Sequence, residues 1–308
     1  MRARVLGLAT GMVADRMLGD PRRGHPVAGF GSLAHHLELA LYAPRRRRGA
    51  AFTGALVAGT LGIGGLVERQ ASRRPAVRLL STGLATYVVL GGRTLEREAH
   101  AVATLLEAGD LPGARLRVTH LVGRTPDHLS ADDVARATVE SVAENTSDAV
   151  VAPLLWGAVA GVPGLLGYRA INTLDAMVGH RTERYREFGW ASARLDDIAN
   201  LAPARLTALL AAALGDTAPA LRAWRRDAPR HPSPNAGPVE ASFAGALGIS
   251  LGGSNTYDGT IEDRGRLGDG PPASVADIRR ATALARRLGW AALAVVSAGA
   301  MVQAARSR

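Results

Sequence analysis

The chain has no cysteine. Disulfides, thiolate catalysis and cysteine-ligated metal centres are therefore excluded. It has no lysine either, so all 37 basic residues are arginine. Aromatic residues are scarce, 4% of a chain that is 47% hydrophobic. The apolar mass is thus Ala, Leu, Val and Gly, a small-residue mix that suits closely packed helices. No Walker A loop occurs, and no G-x-G-x-x-G stands between a strand and a helix, so any nucleotide site must be built differently.

What is present is positive charge and apolar runs. The net charge is +10 over 308 residues. The arginines are spread along the chain and accompany no recognition motif, so nucleic acid is not the expected partner. Anionic lipid or a phosphorylated substrate fits the balance better. The start, MRARVLGLATGMVADRMLGD, is basic then apolar, but Asp15 and Arg16 interrupt it and no small-residue cleavage site follows. It does not read as a secretory signal.

Residues 3–18 read as a short apolar helix, followed by a turn-rich loop, GDPRRGHPV, that carries Asp20 and His25. An amphipathic helix is expected over 34–43. Arg45–Arg48 then flank an uncharged run at 50–67, the pattern of a membrane helix end. Its length of about 18 residues is near the lower limit for a span. Residues 75–92 and 287–305 give two further candidate spans. Polar helices beside the membrane are expected over 93–148, with Ser130 starting a helix at 131–145. The Gly-, Asp- and Pro-rich stretch 255–275 reads as a surface loop. The expected fold is all-α: one membrane-embedded helical domain over 1–308, with polar regions 93–148, 169–200 and 216–286 on the same side.

Chemistry-bearing residues concentrate between Glu140 and Arg205. Glu140, Glu144 and Asp148 are spaced i, i+4, i+8, one stripe on an ideal helix, and like charges there call for a neutralising cation. The stripe runs into an apolar segment at about 149–168. Carboxylates at that depth usually have a task. Pro153, Gly161, Pro163 and Gly164 interrupt the segment, so a broken or re-entrant helical hairpin is expected rather than a straight crossing. Beyond it come Tyr168, Arg169, Asn172 and Asp175, and then Arg194, Asp196, Asp197, Asn200 and Arg205. Asn172 and Asp175 are one helical turn apart. Asp196 and Asp197 point to different helix faces, one able to hold a divalent ion while the other pairs with an arginine. An oxygen-rich set without cysteine suits Mg²⁺ bound with substrate phosphates, and arginine forks suit phosphate or carboxylate. A constrained loop, Ser233-Pro234-Asn235-Ala236-Gly237, precedes Glu240.

Five stretches, in order, carry a family resemblance: GDPRRGHPV, ESVAENTSDAVVAPLLWG, YRAINTLDAMVGHR, FGWASARLDDIANLAPARL and SPNAGPVEASFAGALGISLGG. Together they resemble the adenosylcobinamide-phosphate synthases of cobalamin biosynthesis, the CbiB/CobD family. One departure is visible: Thr125 stands where the family often has an Asp after Gly-Arg.

The resemblance implies a multi-pass protein of the cell (inner, cytoplasmic) membrane. Its implied activity is amide ligation: aminopropanol or its phosphate is joined to adenosylcobyric acid, with ATP and Mg²⁺. On that reading Glu140, Glu144, Asp148, Asp175 and Asp197 are the catalytic candidates, and Asp175, Asp196 and Asp197 the metal candidates. Arg169, Asn172, Arg194, Arg205, Ser233, Asn235, Glu240 and His25 are the substrate- or phosphate-binding candidates. Two other classes compete. The N-x-x-D pairs at 145–148 and 172–175 invite comparison with Mg²⁺-dependent membrane prenyltransferases, and a charge-lined broken helix also suits a non-enzymatic carrier. The first leaves the SPNAG loop and the order of the motifs unexplained, and the 140–175 pattern has no repeat in the second half to support the second.

Overall fold

The structure is a computed structural model. It describes all residues but Arg22, 123–127, Arg181, 258–259 and 307–308, and side chains outside 254–264. Thr125 therefore lies outside the described residues. In chain order the helices are α1 (Arg2–Leu18), α2 (Pro26–Leu41), α3 (Arg46–Ala71), α4 (Pro75–Val89), α5 (Gly92–Glu107), α6 (Leu111–Val118) and α7 (Ala131–Thr146). A π turn (Ser147–Val151) leads into α8 (Ala152–Ala160) and α9 (Val162–Val178). Then come α10 (Tyr185–Phe188), α11 (Trp190–Leu214), α12 (Thr217–Asp227) and α13 (Ala236–Leu247). An antiparallel hairpin follows, β1 (Leu251–Tyr257) with β2 (Thr260–Leu267), and α14 (Val275–Arg306) closes the chain.

The helical reading holds, with two corrections. The expected loop at 255–275 is largely the β1–β2 hairpin. The candidate span at 75–92 is the 15-residue α4, about 22 Å at 1.5 Å per residue and short of a ~30 Å hydrocarbon core. It stops because Leu90 turns extended ahead of the Gly91–Gly92 pair. Among the described residues, two helices, α3 and α14, are long and apolar enough to cross a membrane. A third crossing is available if α11, bent by 45° between Ala199 and Leu201, is one span.

The chain divides into two compact units, residues 1–91, 152–200 and 293–308 in the first, 92–151 and 201–292 in the second. In the first, small residues set the helix spacing. Gly7 and Gly11 of α1 pack directly on Thr82, Gly83 and Thr86 of α4, and Gly64 of α3 lies against Pro163 of α9. One core gathers Phe52, Leu56, Leu174, Val178 and Phe188, with the Phe52 and Phe188 rings 5.2 Å apart. A second joins Ala152, Tyr168 and Ala199, with Trp156 and Ile171 against it.

The apolar run at 149–168 does break and fold back. Pro153 lacks the N–H that would close an α turn onto Ala149, and the ladder widens to π spacing just before it. Gly161 then takes φ 71°, ψ −143°, a conformation open to glycine. The chain reverses there so tightly that a Cβ at Gly164 would overlap the Trp156 carbonyl oxygen. Charges hold the tip. Arg4 donates to the Ala158 and Val159 carbonyls at 3.2 and 3.3 Å, capping the C-terminus of α8. Glu68 accepts from the Val162 N–H at 3.1 Å, capping the N-terminus of α9. Each charge thus meets the helix end whose dipole it complements. Glu68 also pairs with Arg4 at 2.9 Å and Arg78 at 3.0 Å.

The second unit builds on α7, α12 and α13. Ser130 caps α7 in a capping box with Asp133. Asp227 at the end of α12 accepts two bonds from Arg226, at 2.6 and 2.8 Å, and one from the Gly268 N–H at 2.9 Å. Burial works against the Asp227 charge, but the Arg226 fork and that N–H outweigh it and lower its pKa from 3.8.

Candidate active site

The first unit gathers a polar cluster around the hairpin, from α9 and the first half of α11. Tyr168, buried, donates its hydroxyl proton to Asn200 Oδ1 at 2.9 Å. The Asn200 amide in turn donates to Asp196 Oδ2 at 2.9 Å. The Asn172 side chain also hydrogen-bonds Asp196, and Asp175 and Asp197 lie within electrostatic reach of it. Arg169 donates to Asn172 Oδ1 at 3.5 Å. Asp196 is therefore oriented by two amides, as a carboxylate acceptor, with Asp175 as its acidic neighbour.

The neighbouring Asp197 has a different environment. Its carboxylate pairs with Arg194 at 3.7 Å, and that arginine is largely exposed. Successive residues on a helix diverge by 100°, which separates the inward Asp196 from the outward Asp197.

Pro203 explains why the cluster sits at a bend. It has no N–H to give to the Ala199 carbonyl, four residues earlier. The Trp156 indole N–H takes that place, donating to Ala199 O at 3.0 Å. The bend in α11 therefore follows Asn200, the residue that links Tyr168 to Asp196.

The acidic stripe of α7 is less uniform than ideal spacing implies. Glu140 is buried, and its Oε1 accepts from the Gly252 N–H of β1 at 2.8 Å. Arg136, one turn earlier, donates to the Gly252 carbonyl, so the two side chains pin β1 to α7. Glu144 is exposed, and Asp148 lies half-buried in the π turn, where the α-helical phase of the stripe is lost. Asn145 is turned back onto Ser141.

Elsewhere in the second unit, Arg205 donates to Asn235 Oδ1 at 2.7 Å, bringing together two residues expected to bind substrate. Ser233 uses its hydroxyl oxygen within the loop, accepting from the Asn235 and Ala236 N–H groups. Glu240 is fully buried, 3.8 Å from His231 Nε2. His231 accepts the Ser233 N–H at Nδ1, which directs its Nε2–H toward Glu240. Sequence pattern does not single out His231, because the turn that returns it to Glu240 has no sequence period. In the first unit, His25 caps α2: its Nδ1 accepts the Val27 N–H at 3.2 Å, and Nε2 lies 3.7 Å from Asp20.

Among the described residues, no group of three or more His, Asp or Glu side chains could hold a metal ion by itself. A Mg²⁺ that arrives with phosphates needs only one or two protein carboxylates, and Asp175 is the acidic neighbour of Asp196.

Fold and site thus define a helical membrane protein in which a half-buried carboxylate is set by amides at a helix break. The comparisons with known proteins make this more specific. The profile of the CobD/Cbib protein family matches residues 8–285. The chain is 48% identical over 308 residues to a Cobalamin biosynthesis protein CobD of Mycobacterium tuberculosis, covering 98% of this chain and 95% of that one. Proteins of the same description from Chromobacterium violaceum and Rhodobacter capsulatus are each 46% identical. Those alignments cover 95% and 89% of this chain, and 96% and 90% of the relatives. The chain belongs to the CobD/CbiB family. No solved structure matches it.

Proposed function

We propose that the protein is an amide-forming ligase of the cytoplasmic membrane, multi-pass, that joins aminopropanol or its phosphate to adenosylcobyric acid with ATP. Family membership supports the pathway. The observation that carries the chemistry is the Tyr168–Asn200–Asp196 chain beside Asp175.

A carboxylate is a poor acyl donor toward an amine. Transfer of the terminal phosphoryl group of ATP onto it gives an acyl phosphate and releases ADP. The neutral amine then attacks the acyl carbon, inorganic phosphate leaves, and the amine proton passes to a base. Asp196, fixed by Asn200 and Asn172, and Asp175 beside it are the carboxylates we assign to that proton and to Mg²⁺. When bound, Mg²⁺ supplies charge neutralisation at the phosphates. Arg169, which hydrogen-bonds Asn172, is the cation we assign to an anionic substrate group. Glu140 is a positioning residue for β1 in this reading, and Arg194 tunes Asp197.

Purified protein in detergent, given adenosylcobyric acid, Mg·ATP and either aminopropanol or its phosphate, is expected to yield the amide, read by mass. Asp175→Asn is expected to abolish product while the protein stays folded in the membrane fraction. Full activity in both Asp175→Asn and Glu144→Gln would remove the acidic constellation from the mechanism.

A further inference from the structure

A groove of about 470 Å³ opens in the second unit, lined by Arg205, Trp224, Arg225 and His231, with four prolines between residues 229 and 238. Its volume is that of a small-molecule site. Among the described residues, no carboxylate lines it. Two guanidinium groups therefore share one concave surface without an acid between them. Arg205 is fixed from behind by Asn235 at 2.7 Å. Arg225, on the exposed side of α12, has no hydrogen-bond or ion-pair partner among the described residues. Glu240 stands behind His231, whose Nε2–H faces it.

The rest of the lining is rigid. The prolines fix the backbone torsions of the loop, and the Ser233 hydroxyl ties it further through the Asn235 and Ala236 N–H groups. A wall that is ordered before the ligand arrives loses little entropy on binding. Trp224 adds a flat apolar surface to that wall.

We propose that this groove is a binding subsite for a phosphate-bearing ligand, with Arg205 and Arg225 holding the phosphate and Trp224 packing on the organic part. Guanidinium forks match phosphate oxygens in geometry and charge. Two sources of that phosphate are compatible with the groove, a nucleotide and a phosphorylated amine. Naming these two rests on the ligase reading above, whereas the subsite itself rests on the groove and its arginines.

The test is isothermal titration of the full-length protein in detergent with two probes, a non-hydrolysable ATP analogue and aminopropanol phosphate. One of them is expected to bind saturably. Arg225→Gln is expected to weaken that binding at least tenfold with no change in melting temperature, since Arg225 is exposed and supports no described contact. Trp224→Leu separates the sources: it weakens the nucleotide several-fold and leaves the amine phosphate nearly unaffected. Failure of both probes to bind, or wild-type affinity in Arg225→Gln, overturns the subsite. Arginine-dependent binding without amide product keeps the subsite and removes the ligase reading. Product formed at wild-type KM for both phosphate substrates in Arg225→Gln does the reverse.

Discussion

Half-buried charge surrounds the α8–α9 hairpin at two places, and the two are used differently. At its tip, Arg4, Glu68 and Arg78 answer one another and the helix ends. On its polar face, Asp196 is met by amides and a second acid. Opposite charges meeting helix termini hold a turn in shape. A carboxylate fixed by neutral amides beside another carboxylate gains little fold stability from that arrangement and stays able to take a cation or proton. Charge density alone would not separate the two places; the partners do.

The largest effect that could break this comparison is at the face. Asp196→Asn is expected to lower turnover by more than about 10²-fold with a melting temperature near wild type, whereas Glu68→Ala should do the opposite. Leaving two half-buried arginines at the tip should cost about 3 kcal/mol, read as a fall in melting temperature, with activity per folded molecule retained. Equal loss of turnover in both variants would erase the distinction.

A smaller effect sharpens the account of the bend. Trp156→Phe leaves the Ala199 carbonyl without its donor and should cost about 1–3 kcal/mol. Pro203→Ala returns a backbone N–H to that carbonyl, so the double variant should recover much of the loss. Strict additivity in this cycle would show that the indole and the proline are not coupled. Gly164→Ala, which presses on the Trp156 carbonyl, should cost about 1–3 kcal/mol.

The smallest effect lies away from the hairpin. The pKa of Asp227 is lowered in the folded state, so its contribution to stability is present above its unfolded value of 3.8 and is lost as pH falls through the folded value. The melting-temperature gap between wild type and Asp227→Asn should be widest above about pH 5 and close below pH 4. A gap that widens on acidification would contradict the Arg226 pairing.

The sequence reading recovered features whose signals are local. The helix start at Ser130, the uncharged run of α3, and the break at Gly161 and Pro163 all depend on neighbouring residues. The β hairpin was missed because the glycine, aspartate and proline of 255–275 were weighed as loop formers. In the candidate site, the divergence of Asp196 and Asp197 followed from helix geometry. The Tyr168–Asn200 and His231–Glu240 pairs did not, since they depend on how distant segments meet. The i, i+4, i+8 stripe failed at Asp148 because the π turn changes the angular step.

The indole bond to Ala199 also bears on the order of assembly. A helix entering a bilayer must close its own backbone, and α11 cannot do so at Ala199. It has to borrow a donor from α8, which precedes it in the chain. Trp156 is therefore synthesised and available before Pro203 emerges. If α11 is a span, it should therefore dock as the partner of a hairpin already folded back.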